Sequence, residues 1–136
     1  MKTIADVMTR DLVSIGKDAT LQDAAAKMAK EDIGSLPVTD GKKLVGVVTD
    51  RDIVVRCVAK GAAASAKVSD AMTKDVTTCA SSSDVHAAAR LMGDKQIRRL
   101  YVMDAGELVG VVALGDLATE APVEDAAKAL KKISQD

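Results

Sequence analysis

Aromatic side chains are almost missing from these 136 residues: there is one Tyr, and no Phe or Trp. A protein that holds single-stranded nucleic acid by stacking bases on rings would have nothing here to stack them on. Charge of one sign is missing too, with 19 Lys+Arg against 20 Asp+Glu and a formal net charge of −1. Such a balance raises no field that would gather DNA, RNA or an anionic membrane, so neither is an expected partner. Histidine occurs once, as His86, and the two cysteines, Cys57 and Cys79, form no Cys-x-x-Cys pair. A structural zinc site needs about four such ligands, so no metal is expected. A Ser-His-Asp or Cys-His catalyst would have to run through His86, and no nucleophile–base spacing accompanies it. No catalytic residue is therefore assigned, and the chain is not read as an enzyme. His86 itself reads as a surface residue near a helix N-terminus. No apolar run approaches the ~20 residues of a membrane span. The first residues carry Lys2, Asp6, Arg10 and Asp11, which is unlike a signal peptide. A cytoplasmic protein with reduced thiols is the expectation.

What is present is ordinary in amount, 48% hydrophobic and 29% charged, and unusual in arrangement. Sliding the chain on itself by 64 residues lays Ile4–Arg56 over Val68–Glu120 without a gap, with 17 identities in 53 positions. Among them are Asp6/Asp70, Met8/Met72, Thr9/Thr73, Asp11/Asp75, Met28/Met92, Ile33/Ile97 and Asp52/Asp116. The block Leu44-Val45-Gly46-Val47-Val48 returns as Leu108-Val109-Gly110-Val111-Val112. The chain is a duplicated unit, divided as 1–60, a linker over 61–67, and 68–121, with a C-terminal helix over 122–136.

Each repeat reads alike. A helical turn (Ile4–Met8; Val68–Met72) precedes an extended stretch (Leu12–Ile15; Val76–Cys79). A helix follows, with an apolar stripe of Leu21, Ala24, Ala25, Met28 and Ala29 in the first repeat and Val85, Ala88, Ala89 and Met92 in the second. Thr20 with Asp23 is spaced as a capping box. Strands over 36–39 and 44–49, or 100–103 and 108–113, flank a tight turn, and a second helix begins near Asp50 or Gly115. The continuously apolar strands Val45–Val48 and Val109–Val112 suggest cover on both faces. Cys57 reads as a small buried hydrophobe and Met8 and Met72 as core plugs. The tail places Val123, Ala126, Ala127, Leu130 and Ile133 on one helix face, with Pro122 in the first turn.

Thr49 stands where a strand becomes a helix, and Asp52 three residues later. Unpaired backbone N–H groups at such an end attract anions and hydroxyl-rich ligands. A carboxylate there accepts hydrogen bonds from both hydroxyls of a ribose, and a nearby guanidinium holds a phosphate through paired N–H bonds. The same T-x-x-D spacing is equally a capping box that needs no ligand. The two roles are compatible. The second repeat has Ala113 in place of the threonine, keeps Asp116, and carries Arg98-Arg99 where the first has Gly34-Ser35.

The doubled β-α-β-β-α order, with Gly-h-h-[ST]-x-x-[DN] closing the second strand, resembles the tandem CBS domain, or Bateman module. The carrying residues are Asp6–Thr9, Ile33–Val38 and Gly46–Ile53, repeated as Asp70–Thr73, Ile97–Val102 and Gly110–Leu117. The match runs from Ile4 to Glu120, 117 of 136 residues. The resemblance implies an α/β fold in which two such units pack with pseudo-two-fold symmetry. It implies a regulatory module that senses an adenosine-type ligand (AMP, ADP, ATP, NAD or S-adenosylmethionine) in clefts between the units. It also implies a homodimer and a regulated partner protein. It assigns ligand contacts to Thr49, Asp50, Asp52 and Asp116, and phosphate contacts, in either cleft, to Arg98 and Arg99. Thr78 would face the Asp52 cleft and Ser14 the Asp116 cleft, while Ile33 and Ile97 would line the adenine. Beside this stand plainer readings: solvated charge for the arginines, strand polarity for Ser14 and Thr78, core for the isoleucines. A CBS-like dimerisation scaffold with empty clefts is the alternative function.

Overall fold

The structure is a computed structural model and describes residues 2–120 and 130–133, with the side chains of 118–120 left aside. In chain order its elements are α1 (Ile4–Val7), β1 (Ile15–Gly16), α2 (Leu21–Glu31), β2 (Ser35–Asp40), β3 (Lys43–Thr49) and α3 (Asp50–Asp52). α3 runs on into a π-helical turn, Ile53–Val58, and a 3-10 turn follows at Val68–Asp70. Then come β4 (Thr78–Ala80), α4 (Val85–Lys95), β5 (Arg99–Asp104), β6 (Glu107–Ala113) and α5 (Leu114–Glu120). The described residues form two three-stranded sheets, ordered β1-β2-β3 and β4-β5-β6. In each, the first pairing is parallel and the second antiparallel. This is the doubled α/β unit that the repeat predicts.

The compact units divide the chain differently from the repeats. A central unit comprises Val13–Val76, and a terminal unit comprises Met1–Leu12 with Thr77–Asp136. The start of each repeat thus folds with the body of the other. Thr9 bridges Val111 in the terminal unit, and Val47 bridges Thr73 in the central unit. The amide and carbonyl of Thr73 bond those of Val47 at 2.8 and 2.9 Å, and Thr9 and Val111 do the same at 2.8 and 3.0 Å. Gly46 and Gly110 make room for this approach. A Cβ on Gly46 would lie 2.7 Å from Met72 Sδ, and one on Gly110 would lie 2.7 Å from Met8 Sδ. Both methionines are partly buried against the core of the unit they enter, as the reading of core plugs expects.

Each unit has its own core. Leu21, Ala24 and Met28 of α2 pack with Leu36, Val38, Val48 and Cys57 in the central unit. Val85, Ala88, Ala89 and Met92 of α4 pack with Leu100, Val102, Val112 and Leu117 in the terminal unit. The N-terminus of α2 carries the capping box, Asp23 N–H donating to Thr20 Oγ1 and Thr20 N–H to Asp23 Oδ2.

Several expectations need correction. The extended stretches are shorter and begin later, at Ile15 and Thr78, because regular pairing with the middle strand starts only at Ile15↔Val38 and Thr78↔Tyr101. The helical turn at Val68 is of the 3-10 type and ends at Asp70 rather than at Met72. The apolar strands are not fully covered on both faces. Gly46 and Val48 are buried while Val45 and Val47 are half-buried, and β6 shows the same alternation. Ala25 and Ala29 are exposed, although the stripe on α2 includes them. Ala25 instead lines a groove of about 530 Å³ with Leu21, Ile53, Cys57 and Val58. Val123, Ala126, Ala127 and Pro122 lie outside the described residues. Residues 130–133 are helical, and Ile133 packs on the terminal core, where Gln96 Nε2 donates to Lys132 O at 2.9 Å.

Candidate functional site

The repeats diverge most in chemistry at one end of each sheet, where β3 and β6 hand over to helix. In the central unit Ser35↔Thr49 is the last pair of the hairpin. Thr49 is extended, with φ −116° and ψ 162°, and caps α3. Asp52 N–H donates to Thr49 Oγ1, and Thr49 N–H donates to Asp52 Oδ2, both at 3.0 Å. The capping box is therefore complete, and it holds the Asp52 side chain at 14% exposure. The other carboxylate oxygen, Oδ1, sits 3.7 Å from Arg56 Nε. Arg56 is anchored elsewhere, its Nη1 donating to the carbonyls of Ala71 and Met72 at 3.3 Å. Sequence reading passed over Arg56, although its i,i+4 spacing from Asp52 was a usable signal.

Asp50 closes the other side of the same strand end. Its N–H donates to Gly34 O at 3.0 Å, and its Oδ1 accepts from Arg51 N–H at 2.8 Å. Its carboxylate lies over Gly34, where a Cβ would meet Asp50 Oδ2 at 3.2 Å. Ile33 is half-buried against the central core, its amide bonded to Met28 O. Ser14 immediately precedes β1, is half-buried, and its carbonyl accepts from Lys27 Nζ at 2.6 Å. Ser14, Ile33, Thr49, Asp50 and Asp52 thus belong to one unit and to one end of its sheet.

The terminal unit repeats the backbone and changes the side chains. Arg99↔Ala113 is the last hairpin pair, and Leu114 N–H donates to Arg98 O at 2.8 Å. Asp116 Oδ2 accepts from Ala113 N–H at 3.0 Å, so half the capping box survives without the threonine. Leu114, standing where Asp50 does, is buried in the terminal core. Arg98 and Arg99 are exposed at the strand end. Thr78 pairs with Tyr101 on the neighbouring strand and is half-buried, and Ile97 packs against the core. Thr78, Ile97, Arg98, Arg99 and Asp116 form the second set.

Elsewhere the titratable groups follow local structure. Burial pushes the Cys79 thiol up to about 11, which keeps it protonated, and Cys57 is buried as expected. Backbone and side-chain hydrogen bonds from Thr3 hold the Asp6 carboxyl below its ordinary value, and the Lys132 ammonium does the same for Asp94. His86 is half-buried, its N–H donating to Asp84 Oδ1 at 3.2 Å. Among the described residues no group of three or more His, Cys, Asp or Glu is placed to hold a metal ion, and no helix is long and apolar enough to cross a membrane.

The CBS domain model matches residues 4–58 and again 68–121. The chain belongs to the CBS domain family. It is 37% identical over 135 residues to the CBS domain-containing protein YhcV of Bacillus subtilis, covering 98% of this chain and 96% of that one. Among solved structures, a putative acetoin utilization protein from Vibrio cholerae superposes with a TM-score of 0.80 at 28% identity, covering 100% and 99% of the two chains. CBSX2, solved in complex with AMP, superposes with a TM-score of 0.77 at 30% identity, covering 89% and 96%. The family reading of the repeat and the α/β architecture therefore hold.

Proposed function

We propose that this CBS pair is a regulatory module, without catalytic activity, that binds an adenosine nucleotide or a related adenosyl ligand at the strand ends carrying Thr49, Asp50 and Asp52 and, in the terminal unit, Arg98, Arg99 and Asp116. The observation that carries this reading is the AMP complex of a CBS relative at 30% identity. The local geometry is compatible with it. Asp52 Oδ2 is committed to the Thr49 amide, but Oδ1 has only a 3.7 Å ion pair that a ribose hydroxyl would displace at small cost. The Thr49 hydroxyl accepts from Asp52 N–H and retains its own proton to donate. Ligand occupancy would then bias the shape offered to a regulated protein, which requires different affinities for two states. The free thiols Cys57 and Cys79 suit a cytoplasmic setting.

The test is a melting-temperature panel of AMP, ADP, ATP, NAD and S-adenosylmethionine, with absorbance at 260 nm of whatever the denatured protein releases. Ligand at about 100 times its dissociation constant stabilises by ~2.7 kcal/mol. At this chain length that is a rise of about 5–15 °C. Asp52→Ala should remove the part of the rise that comes from the central strand end, and Asp116→Ala the part that comes from the terminal one. No shift with any compound, and no released chromophore, would refute ligand binding. That result would favour the scaffold reading, which the complete Thr49–Asp52 capping box supports because it gives both residues a structural role without a ligand.

The same proposal includes a homodimer. Val54 and Val58 are 56% and 65% exposed beside the groove lined by Ala25, Ala62, Ala63 and Ala64. Protruding valines and an alanine-lined hollow on one face are self-complementary, as a two-fold interface requires. A stable contact should bury more than ~1,000 Å². Sedimentation should show a species of twice 14.1 kDa. Val58→Asp should return it to the monomer, and a wild-type monomer at micromolar concentration would overturn the assignment.

A further inference from the structure

The two strand ends share a backbone and differ in the charge placed beside it. In the central unit the position before β2 is Gly34, and the Asp50 carboxylate lies over its Cα, 3.2 Å from where a Cβ would stand. In the terminal unit both members of that pair are exchanged. Arg98 takes the glycine's place, and Leu114 takes the aspartate's and turns into the core. The backbone hydrogen bond joining the two positions is kept, Asp50 N–H to Gly34 O at 3.0 Å and Leu114 N–H to Arg98 O at 2.8 Å. The next position follows the same rule, Ser35 opposite Thr49 and Arg99 opposite Ala113. Cross-strand partners project from the same sheet face, so Arg99 and Ala113 share one.

We infer that the two units take ligands of different charge: the Arg98/Arg99 end a phosphorylated nucleoside, and the Gly34/Asp50 end an uncharged or cationic one. The inference rests on the nucleotide-binding reading above and adds to it which chemical class goes where. An exposed pair of guanidiniums offers several N–H donors to a phosphate. At the central strand end the same place holds no side chain and is overlain by a carboxylate, whose like charge penalises a phosphate there. Arg56 does not stand in for the arginine pair as a phosphate ligand, since its Nη1 is tied to the Ala71 and Met72 carbonyls and its Nε faces Asp52. It is also why the Thr49 hydroxyl need not mark the tighter nucleotide site: hydroxyl and guanidinium recognise different parts of one molecule.

The experiment compares adenosine, AMP and S-adenosylmethionine by calorimetry on the full chain. Asp116→Ala leaves the central end to report, and Asp52→Ala leaves the terminal end. The ratio of AMP to adenosine affinity should be at least tenfold higher in Asp52→Ala than in Asp116→Ala. Adding Arg98→Ala and Arg99→Ala should collapse that ratio, and adding Asp50→Ala to Asp116→Ala should raise it. S-adenosylmethionine should follow the opposite order. Should either aspartate variant fail to fold, the wild-type chain still decides: two AMP sites of different affinity, with the tighter weakened by salt and abolished by Arg98→Ala with Arg99→Ala. Equal ratios at both ends would overturn the inference while leaving nucleotide binding intact. No binding of any of the three to wild type would overturn both.

Discussion

The central and terminal units carry the same β-α-β-β-α path, yet they are finished differently. Where the backbone of another segment comes close, they are identical: Gly46 and Gly110 receive Met72-Thr73 and Met8-Thr9, and all six are repeat equivalents. Where side chains meet solvent at a strand end or on an outer helix face, they diverge. Thr49 becomes Ala113, Gly34 becomes Arg98 and Asp50 becomes Leu114. On α4 the buried face widens to include Ala89 and Gly93, whereas the matching Ala25 and Ala29 on α2 stay exposed. Residues 130–133 reach the terminal unit, with Lys132 Nζ 2.6 Å from Asp94 Oδ1 and Ile133 on the core. Duplication has thus preserved what close packing demands and released the positions at the strand ends and on the outer helix faces.

The sharpest way to break this comparison is to fill the two glycines. Gly46→Ala places a Cβ 2.7 Å from Met72 Sδ and 2.8 Å from Thr73 O. The methionine can swing away, but the carbonyl is fixed by its own bridge to Val47. Overpacking of this kind costs about 1–3 kcal/mol. Gly110→Ala should behave alike and slightly more mildly, since Thr9 O is 3.0 Å away. Gly115→Ala is the control: nothing lies within 4 Å, and helix propensity should make it neutral or stabilising by up to ~1 kcal/mol. Urea titrations of the three measure this directly. If Gly46→Ala is as harmless as Gly115→Ala, the close approach does not account for the recurrence of glycine at these two positions.

A smaller effect tests the caps. Thr49 Oγ1 accepts from Asp52 N–H, and Ala113 offers nothing equivalent to Asp116 N–H. Thr49→Ala should cost ~1 kcal/mol, and Ala113→Thr should recover a comparable amount in the terminal unit. Equal and opposite responses to removing and adding the hydroxyl would say that the hydroxyl alone separates the two caps. A loss at Thr49 without a gain at Ala113 would mean that the second helix is held by Leu114 in the core rather than by its cap.

Much of this was legible because duplication lets one half check the other. The repeat located the strands, the hairpins and both aspartates, since apolar runs bounded by turn residues and T-x-x-D are local signals. The exchange of the Met8-Thr9 and Met72-Thr73 segments was not legible, because nothing local distinguishes a segment folding on its own repeat from one folding on the other. The trace it left was the identity of Gly46 with Gly110, a glycine in mid-strand being a sign of close backbone approach. The exposure of Ala25 and Ala29 was missed for a related reason: periodicity marks which face is apolar, and only the surrounding elements decide how wide a face is covered. Asp50 over Gly34 escaped as well, because each residue alone is unremarkable at a strand-to-helix junction.

The smallest difference lies in the two hairpin loops. Asp40↔Lys43 and Asp104↔Glu107 both close two-residue loops. In the first, Gly41 alone has positive φ, at 64°. In the second, Ala105 and Gly106 both do, at 50° and 80°, as a type I′ turn requires. The alanine therefore sits in a conformation that disfavours any Cβ by roughly 1–2 kcal/mol. Glycine would lift that strain but lose more chain entropy on folding, by about 0.5–1 kcal/mol. Ala105→Gly should accordingly stabilise by under ~1 kcal/mol, and Ala105→Asn, which tolerates this region and keeps a side chain, by a similar margin. Gly41→Ala runs the exchange in reverse and should destabilise by at least as much, although nothing lies within 4 Å of its Cβ position. If Ala105→Gly is neutral while Gly41→Ala is costly, the entropy lost with the alanine matches the strain it relieves, and the two loops differ in turn type without differing in stability.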